Sequence, residues 1–220
     1  RARKPPRTEP GARPHGRAGH ETNLNIAVAL PAPQGRRRDL PGDLAMWFFI
    51  FAELLVFGVL FLAYAFARAR NVELFDASQL ELDRLSGAIN TALLITSSYF
   101  VVRAVDRIRH GASRACALWL AAAMACGGAF LVLKLVEFGA KFDADITMST
   151  NTFFMFYIGL GFFHFMHVVL GMVILGTVAL KAWQGGYSAA DHTGVETGAS
   201  YWHMVDLVWI VLFPLVYVLR

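Results

Sequence analysis

Five apolar stretches of about 20 residues constrain this chain more than any motif does, because each is long enough to cross a bilayer as a helix. They cover residues 44–67, 86–105, 115–138, 152–182 and 201–219. The apolar residues come in runs rather than in the one-sided stripes of a soluble helix. A hydrophobic share of 56% and a mean hydropathy of +0.49 agree with that reading, and both lie above an ordinary soluble domain. The predicted fold is therefore an all-α integral membrane protein with five transmembrane helices. The fourth stretch exceeds what a bilayer needs and should tilt or protrude.

Residues 1–40 are rich in Arg, Pro, Gly and Ala without sustained periodicity, and read as a disordered basic tail ahead of a membrane domain over 41–220. Residues 1–43 hold nine Lys/Arg against four Asp/Glu. A basic tail beside a membrane domain does not call for nucleic acid as a partner. Ala63-Tyr64-Ala65 imitates a signal cleavage site, but some forty residues precede the apolar run and the run is too long. Orientation follows from Lys/Arg placement. With the N-terminus inside, the tail, Arg103, Arg107, Arg109, Arg114 and Lys181 are inside, while only Arg68, Arg70, Arg84, Lys141 and Arg220 are outside. The C-terminus then lies outside.

Ionisable side chains within the apolar stretches are costly and mark function or assembly. Glu53 sits near mid-depth with Phe49 and Phe57 one turn either side. It reads as a proton-relay group, a lipid contact or a neutral helix-to-helix hydrogen bond. Lys134 and Glu137, at i, i+3, read as a salt bridge that partly snorkels to the interface. Asn90 and Ser97 share a face suited to interhelical hydrogen bonding. Cys116 and Cys126 lie ten residues apart in one stretch, too far for a disulfide, and read as packing residues.

In the fourth stretch Gly161, His164, Val168 and Gly171 form one stripe, with His167 beside it. Small residues on that face invite close helix approach. In the fifth, Trp202, Asp206, Trp209 and Phe213 align, with His203 next to Asp206, and Pro214 should bend the helix beyond them. The expected contact is between His164 or His167 and the His203–Asp206 pair in the inner half of the membrane. Three histidines on two helices also admit a bis-His b-type haem, although no H-E-x-x-H or Glu-x-x-His set accompanies them. A Ser–His–Asp site using Ser97 or Ser98 lacks a nucleophile elbow, and a transporter built around Glu53 is a further alternative.

The segments together resemble subunit III of the haem-copper oxidases. Tyr201-Trp202-His203-Met204-Val205-Asp206-Leu207-Val208-Trp209 is similar to that family's Tyr-Trp-His-Phe-Val-Asp-Val-Val-Trp signature, and Gly194-Val195-Glu196-Thr197-Gly198-Ala199 to the stretch before it. Phe163-His164-Phe165-Met166-His167-Val168 with Gly171 resembles its Phe-His-Gly-Leu-His-Val helix. Ala52-Glu53 with Phe57 resembles its Ser-Glu-x-x-x-Phe, whose carboxyl is associated with carbodiimide reactivity and lipid. Asn90-Thr91 and Glu137 match further positions. Lys134 stands where many members carry Gln, and the first two helices of the seven-helix form are missing, as in quinol oxidase subunit III. Leu40-Pro41-Gly42-Asp43 and the wording between the two histidines look most like the nitric oxide reductase-associated (NorE-like) branch.

The resemblance implies a non-catalytic accessory subunit in a bacterial inner membrane. On that reading it binds no metal or haem itself. It packs against a catalytic subunit I-type protein holding haem and copper or non-haem iron, binds phospholipid, and supports assembly and proton uptake. Its marked positions here are Glu53 as a lipid- or proton-linked carboxyl, with Asn90, Lys134, Glu137, His164, His167, Glu196, Trp202, His203 and Asp206 as polar contacts between helices.

Overall fold

A computed structural model of the protein describes residues 44–219, so the expected tail over 1–40 lies outside the described residues. Six α-helices follow in order: α1 (Leu44–Arg70), α2 (Val72–Gln79), α3 (Arg84–Arg109), α4 (Ser113–Asp143), α5 (Thr152–Trp183) and α6 (Thr193–Phe213). A π-helical turn, Pro214–Val218, continues α6. The five long helices are α1, α3, α4, α5 and α6, each apolar enough over its length to cross a membrane.

The connections are short, so successive long helices run antiparallel. Positive φ at Gly111 (+75°) and Gly185 (+76°) turns the chain after α3 and after α5, a region that residues with a Cβ enter at a cost. At the opposite end, Asp83 and Asn151 cap α3 and α5 by accepting from the Leu85 and Phe154 amides, each at 2.9 Å. Helices α3, α4, α5 and α6 close a ring in which each packs on the next and α6 returns to α3. Helix α1 lies outside it against α5 and α6. Only 11% of its apolar stretch is buried within the chain, against 56% for the last span.

Two departures from the sequence reading move functional residues. The last helix starts at Thr193 rather than near 201, because its polar first two turns remain helical, with Val195 and Glu196 amides bonded back to His192. His203 and Asp206 therefore sit near the middle of the 26-residue Thr193–Val218 span, not toward one end. The acidic loop after α1 forms α2, which buries Phe75, Ser78 and Gln79. Arg68 pairs with Asp76 at 2.9 Å and also donates to the Leu219 carbonyl, while Gln79 donates to the Val216 carbonyl at 3.0 Å. At Pro214, where a bend was expected, the chain makes this π-helical turn, closed by Leu219 N–H to Pro214 O at 2.8 Å.

Candidate functional site

The polar interior of the ring falls into three groups. The first surrounds Lys134. Helix α4 runs to Asp143, past the expected end near 138, so Lys134 lies nine residues, roughly 13 Å, short of the helix end. At 1% exposure it does not snorkel. Its ammonium donates to Glu137 Oε2 at 2.9 Å and to the Tyr217 hydroxyl at 2.6 Å. The hydroxyls of Tyr157 and Tyr217 donate to Glu137 Oε1 at 2.6 and 2.5 Å. Ring centroids of Phe138, Tyr157, Trp209 and Tyr217 lie 5.2–5.3 Å from Nζ, within cation–π range. Burial penalises this cation, and the counter-charge, hydroxyls and ring faces offset that penalty together.

The second group lies between α3 and α6. His203 Nδ1 is 2.6 Å from Ser98 Oγ, and the same hydroxyl faces the Asp206 carboxylate one turn along α6. A cleft of about 380 Å³ leads to His203 from the end of the bundle where α3 finishes and α6 begins. Val102, Asp106, Arg109, Glu196 and Ser200 line it. Arg109 closes on Glu196 at 2.7 Å, and His192 Nε2 is 3.3 Å from the same oxygen. Asp206 Oδ1 is buried without a hydrogen-bond partner among the described residues.

The third group corrects the expected meeting of α5 histidines with His203 and Asp206. His164 Nε2 donates instead to the Val205 carbonyl at 3.1 Å, and its ring packs 5.1 Å from Trp209 and 5.7 Å from Phe130. His167 Nδ1 donates to the Phe163 carbonyl at 2.8 Å, and its Nε2 is 3.0 Å from Glu53 Oε2. The reason is rotational. Trp202 and Val205 occupy the α6 face turned to α4 and α5, Trp209 packs there while its N–H donates to Thr91 of α3 at 3.0 Å, and His203 turns to Ser98 of α3. The three imidazoles thus engage three different partners. Because Nδ1 is committed as a donor, Glu53 and His167 share one proton on the Nε2–Oε2 contact. They exist as imidazolium and carboxylate, or as imidazole and carboxylic acid.

Among the described residues Trp202 and Asn90 make no polar side-chain contact between helices. The Trp202 indole fills a slot between two glycines. A Cβ at Gly127 would stand 2.7 Å from Cη2, and one at Gly171 would stand 2.9 Å from Cε3. Its N–H, both Asn90 amide atoms and His164 Nδ1 lack partners among the described residues. Ser97 on the Asn90 face does bond across, to the Ala123 carbonyl at 2.8 Å. Cys116 is buried in the core and Cys126 half-buried, both free.

The cytochrome c oxidase subunit III family model matches residues 41–220. The chain belongs to that family. It is 34% identical over 172 residues to cytochrome c oxidase subunit 3 of Synechocystis sp., covering 78% of this chain and 72% of that one. The corresponding protein of Thermostichus vulcanus is 34% identical over 178 residues, 80% and 86% of the two chains. Quinol oxidase subunit 3 of Bacillus subtilis is 26% identical over 204 residues, 90% and 94%. With five membrane-length apolar helices, this subunit III homologue is a multi-pass bacterial membrane protein.

Sequence reasoning passed over three residues that complete the groups, Tyr157, Tyr217 and Arg109, and raised Ser98 only as one of two serines for a Ser–His–Asp site. A signal existed for the tyrosines, since a phenol hydroxyl inside an apolar run needs a partner once buried. Arg109 read only as a charge at a helix end.

Proposed function

We propose that this chain is the non-catalytic subunit III-type component of a haem-copper respiratory complex in a bacterial inner membrane. It lies N-terminus inside and C-terminus outside, against a catalytic subunit I-type protein that carries the haem with copper or non-haem iron. Family membership over residues 41–220 carries this reading. The bundle's chemistry supports it. Its ionisable groups are engaged mainly within the chain, whereas α1 presents Phe48, Phe51, Leu55, Leu62 and Phe66 outward. Such a surface suits lipid or another membrane subunit. Glu53, at the edge of that face and held by His167, is the carboxyl assigned to phospholipid contact. Assembly and support of proton uptake are the roles left for the polar groups.

The Leu40-Pro41-Gly42-Asp43 entry to α1 and the Phe163-His164-Phe165-Met166-His167-Val168 stretch favour a nitric oxide reductase-associated complex over an oxygen-reducing one. Purification in mild detergent through a tag on this chain tests both statements. A copurifying haem-containing large subunit is expected, and its turnover with nitric oxide against oxygen identifies the branch. Recovery of the chain alone with a stoichiometric Soret band lost in His203→Ala would overturn the accessory reading. Glu53 should also react with a hydrophobic carbodiimide; an inert Glu53 would count against the lipid-facing assignment.

A further inference from the structure

We propose that the cleft between α3 and α6 is a water-filled inlet to a proton-binding site, in which His203 and Ser98 pass a proton to the Asp206 carboxylate at mid-span. The proposal deepens the proton-uptake part of the reading above and rests on it only for the use made of the proton.

Three observations converge. The cleft has Asp106, Arg109, Glu196 and Ser200 among apolar wall residues Val102, Val105 and Ala199, and His203 lines it. Behind His203, Ser98 Oγ is at hydrogen-bond distance from Nδ1 and also faces Asp206. Asp206 is 7% exposed, and one of its oxygens has no partner among the described residues. A buried carboxylate oxygen left unsatisfied is costly as an anion and inexpensive as an acid. Ser98, which reaches toward it, leads back through His203 to the cleft.

The transfer balances with these atoms alone. His203 begins with its proton on Nδ1, donated to Ser98 Oγ, while the Ser98 proton points at Asp206. Water in the cleft delivers a proton to Nε2. The Nδ1 proton then moves to Ser98 Oγ as the Ser98 proton moves to the Asp206 carboxylate. His203 ends neutral in its other tautomer, Ser98 keeps one proton, and Asp206 gains one.

The charged groups around the relay are accounted for. Asp106 and Arg109 face it from α3, and Glu196 and His192 from α6, with Arg109 and His192 both on Glu196. On α5, His164 is committed to the Val205 carbonyl and His167 to Glu53 of α1. On α4, Lys134 is matched by Glu137. None supplies a fixed positive charge that would hold Asp206 ionised.

Infrared difference spectroscopy of the purified full chain in lipid nanodiscs, with pH steps and transfer into D2O, tests the relay. The carbonyl stretch of a protonated carboxyl should be present, shift in D2O and vanish in Asp206→Asn. In Ser98→Ala and in His203→Phe the band should remain while its exchange slows by about a hundredfold. A band that Asp206→Asn leaves unchanged, or its absence at every pH where the chain stays folded, overturns the proposal. Exchange at the wild-type rate in both relay variants overturns it as well. Should Asp206→Asn fail to fold, the exchange rates in the relay variants decide alone. Copurification of a large subunit does not enter these outcomes, so this proposal and the accessory reading fail separately.

Discussion

Lys134–Glu137 and His203–Asp206 have the same i, i+3 spacing on helices that stand across one ring from each other, yet their surroundings are opposite. The first pair is saturated. Both Glu137 oxygens are taken, the ammonium has two oxygen partners, and four aromatic rings enclose it. Glu137 does border a smaller cleft of about 260 Å³ at the other end of the bundle, but both of its oxygens are already bonded within the chain. The second pair keeps a carboxylate oxygen without a partner among the described residues and adjoins an open cleft. Spacing alone therefore does not assign a role to an intramembrane pair. What other helices bring to it does.

The contrast breaks first, and hardest, at Glu137. Glu137→Leu should strand a buried ammonium and destabilise the chain by about 3–5 kcal/mol, read as a loss of thermal stability in detergent. Lys134→Met combined with Glu137→Leu should recover most of that loss, because the charge then leaves with its partner. If the double variant is as unstable as the single, the pair is more than a neutralised ion. Next comes Gly171→Val, which drives a side chain into the Trp202 slot and should cost about 1–3 kcal/mol in the same assay. Tyr217→Phe should cost about 1.5–3 kcal/mol, because it removes hydroxyl bonds to charged groups.

Asp206→Asn should have the milder effect of a site already unsatisfied, within about 1 kcal/mol. A large loss there would mean that Asp206 is held as firmly as Glu137. Smallest is Arg109→Ala. The Arg109 side chain is 55% exposed, and its bond to Glu196 is a rim contact worth about 0.2–1 kcal/mol, detectable as a shallower dependence of stability on salt.

The five spans were legible because a membrane helix writes itself as an uninterrupted apolar run. The Lys134–Glu137 bridge was legible because its partners share one helix face. Its enclosure was not. Tyr157 and Tyr217 come from 20 and 80 residues beyond Glu137, and only the rotation of α5 and α6 turns them inward. The same rotation sends His203 to Ser98 rather than to α5, a difference of one residue's turn about α6 that periodicity in one helix cannot fix. Helix α2 and the early start of α6 were missed because polar residues interrupt the apolar ones there, so pattern gave way to tertiary contact. The glycine stripe of α5 did announce close neighbours, though not that Gly161 would meet Phe138 and Gly171 the Trp202 indole.

That indole sets an order of events during synthesis. Gly127 and Gly171 emerge from the ribosome well before Trp202, so α4 and α5 meet each other around a groove that nothing in the nascent chain yet fills. The ring stays open until α6 arrives, and its arrival seats Trp202 in the same movement that delivers Tyr217 to Lys134. Insertion of the last span is thus the step that converts a loose group of helices into a locked one. Before it, the buried ammonium has only part of its shelter.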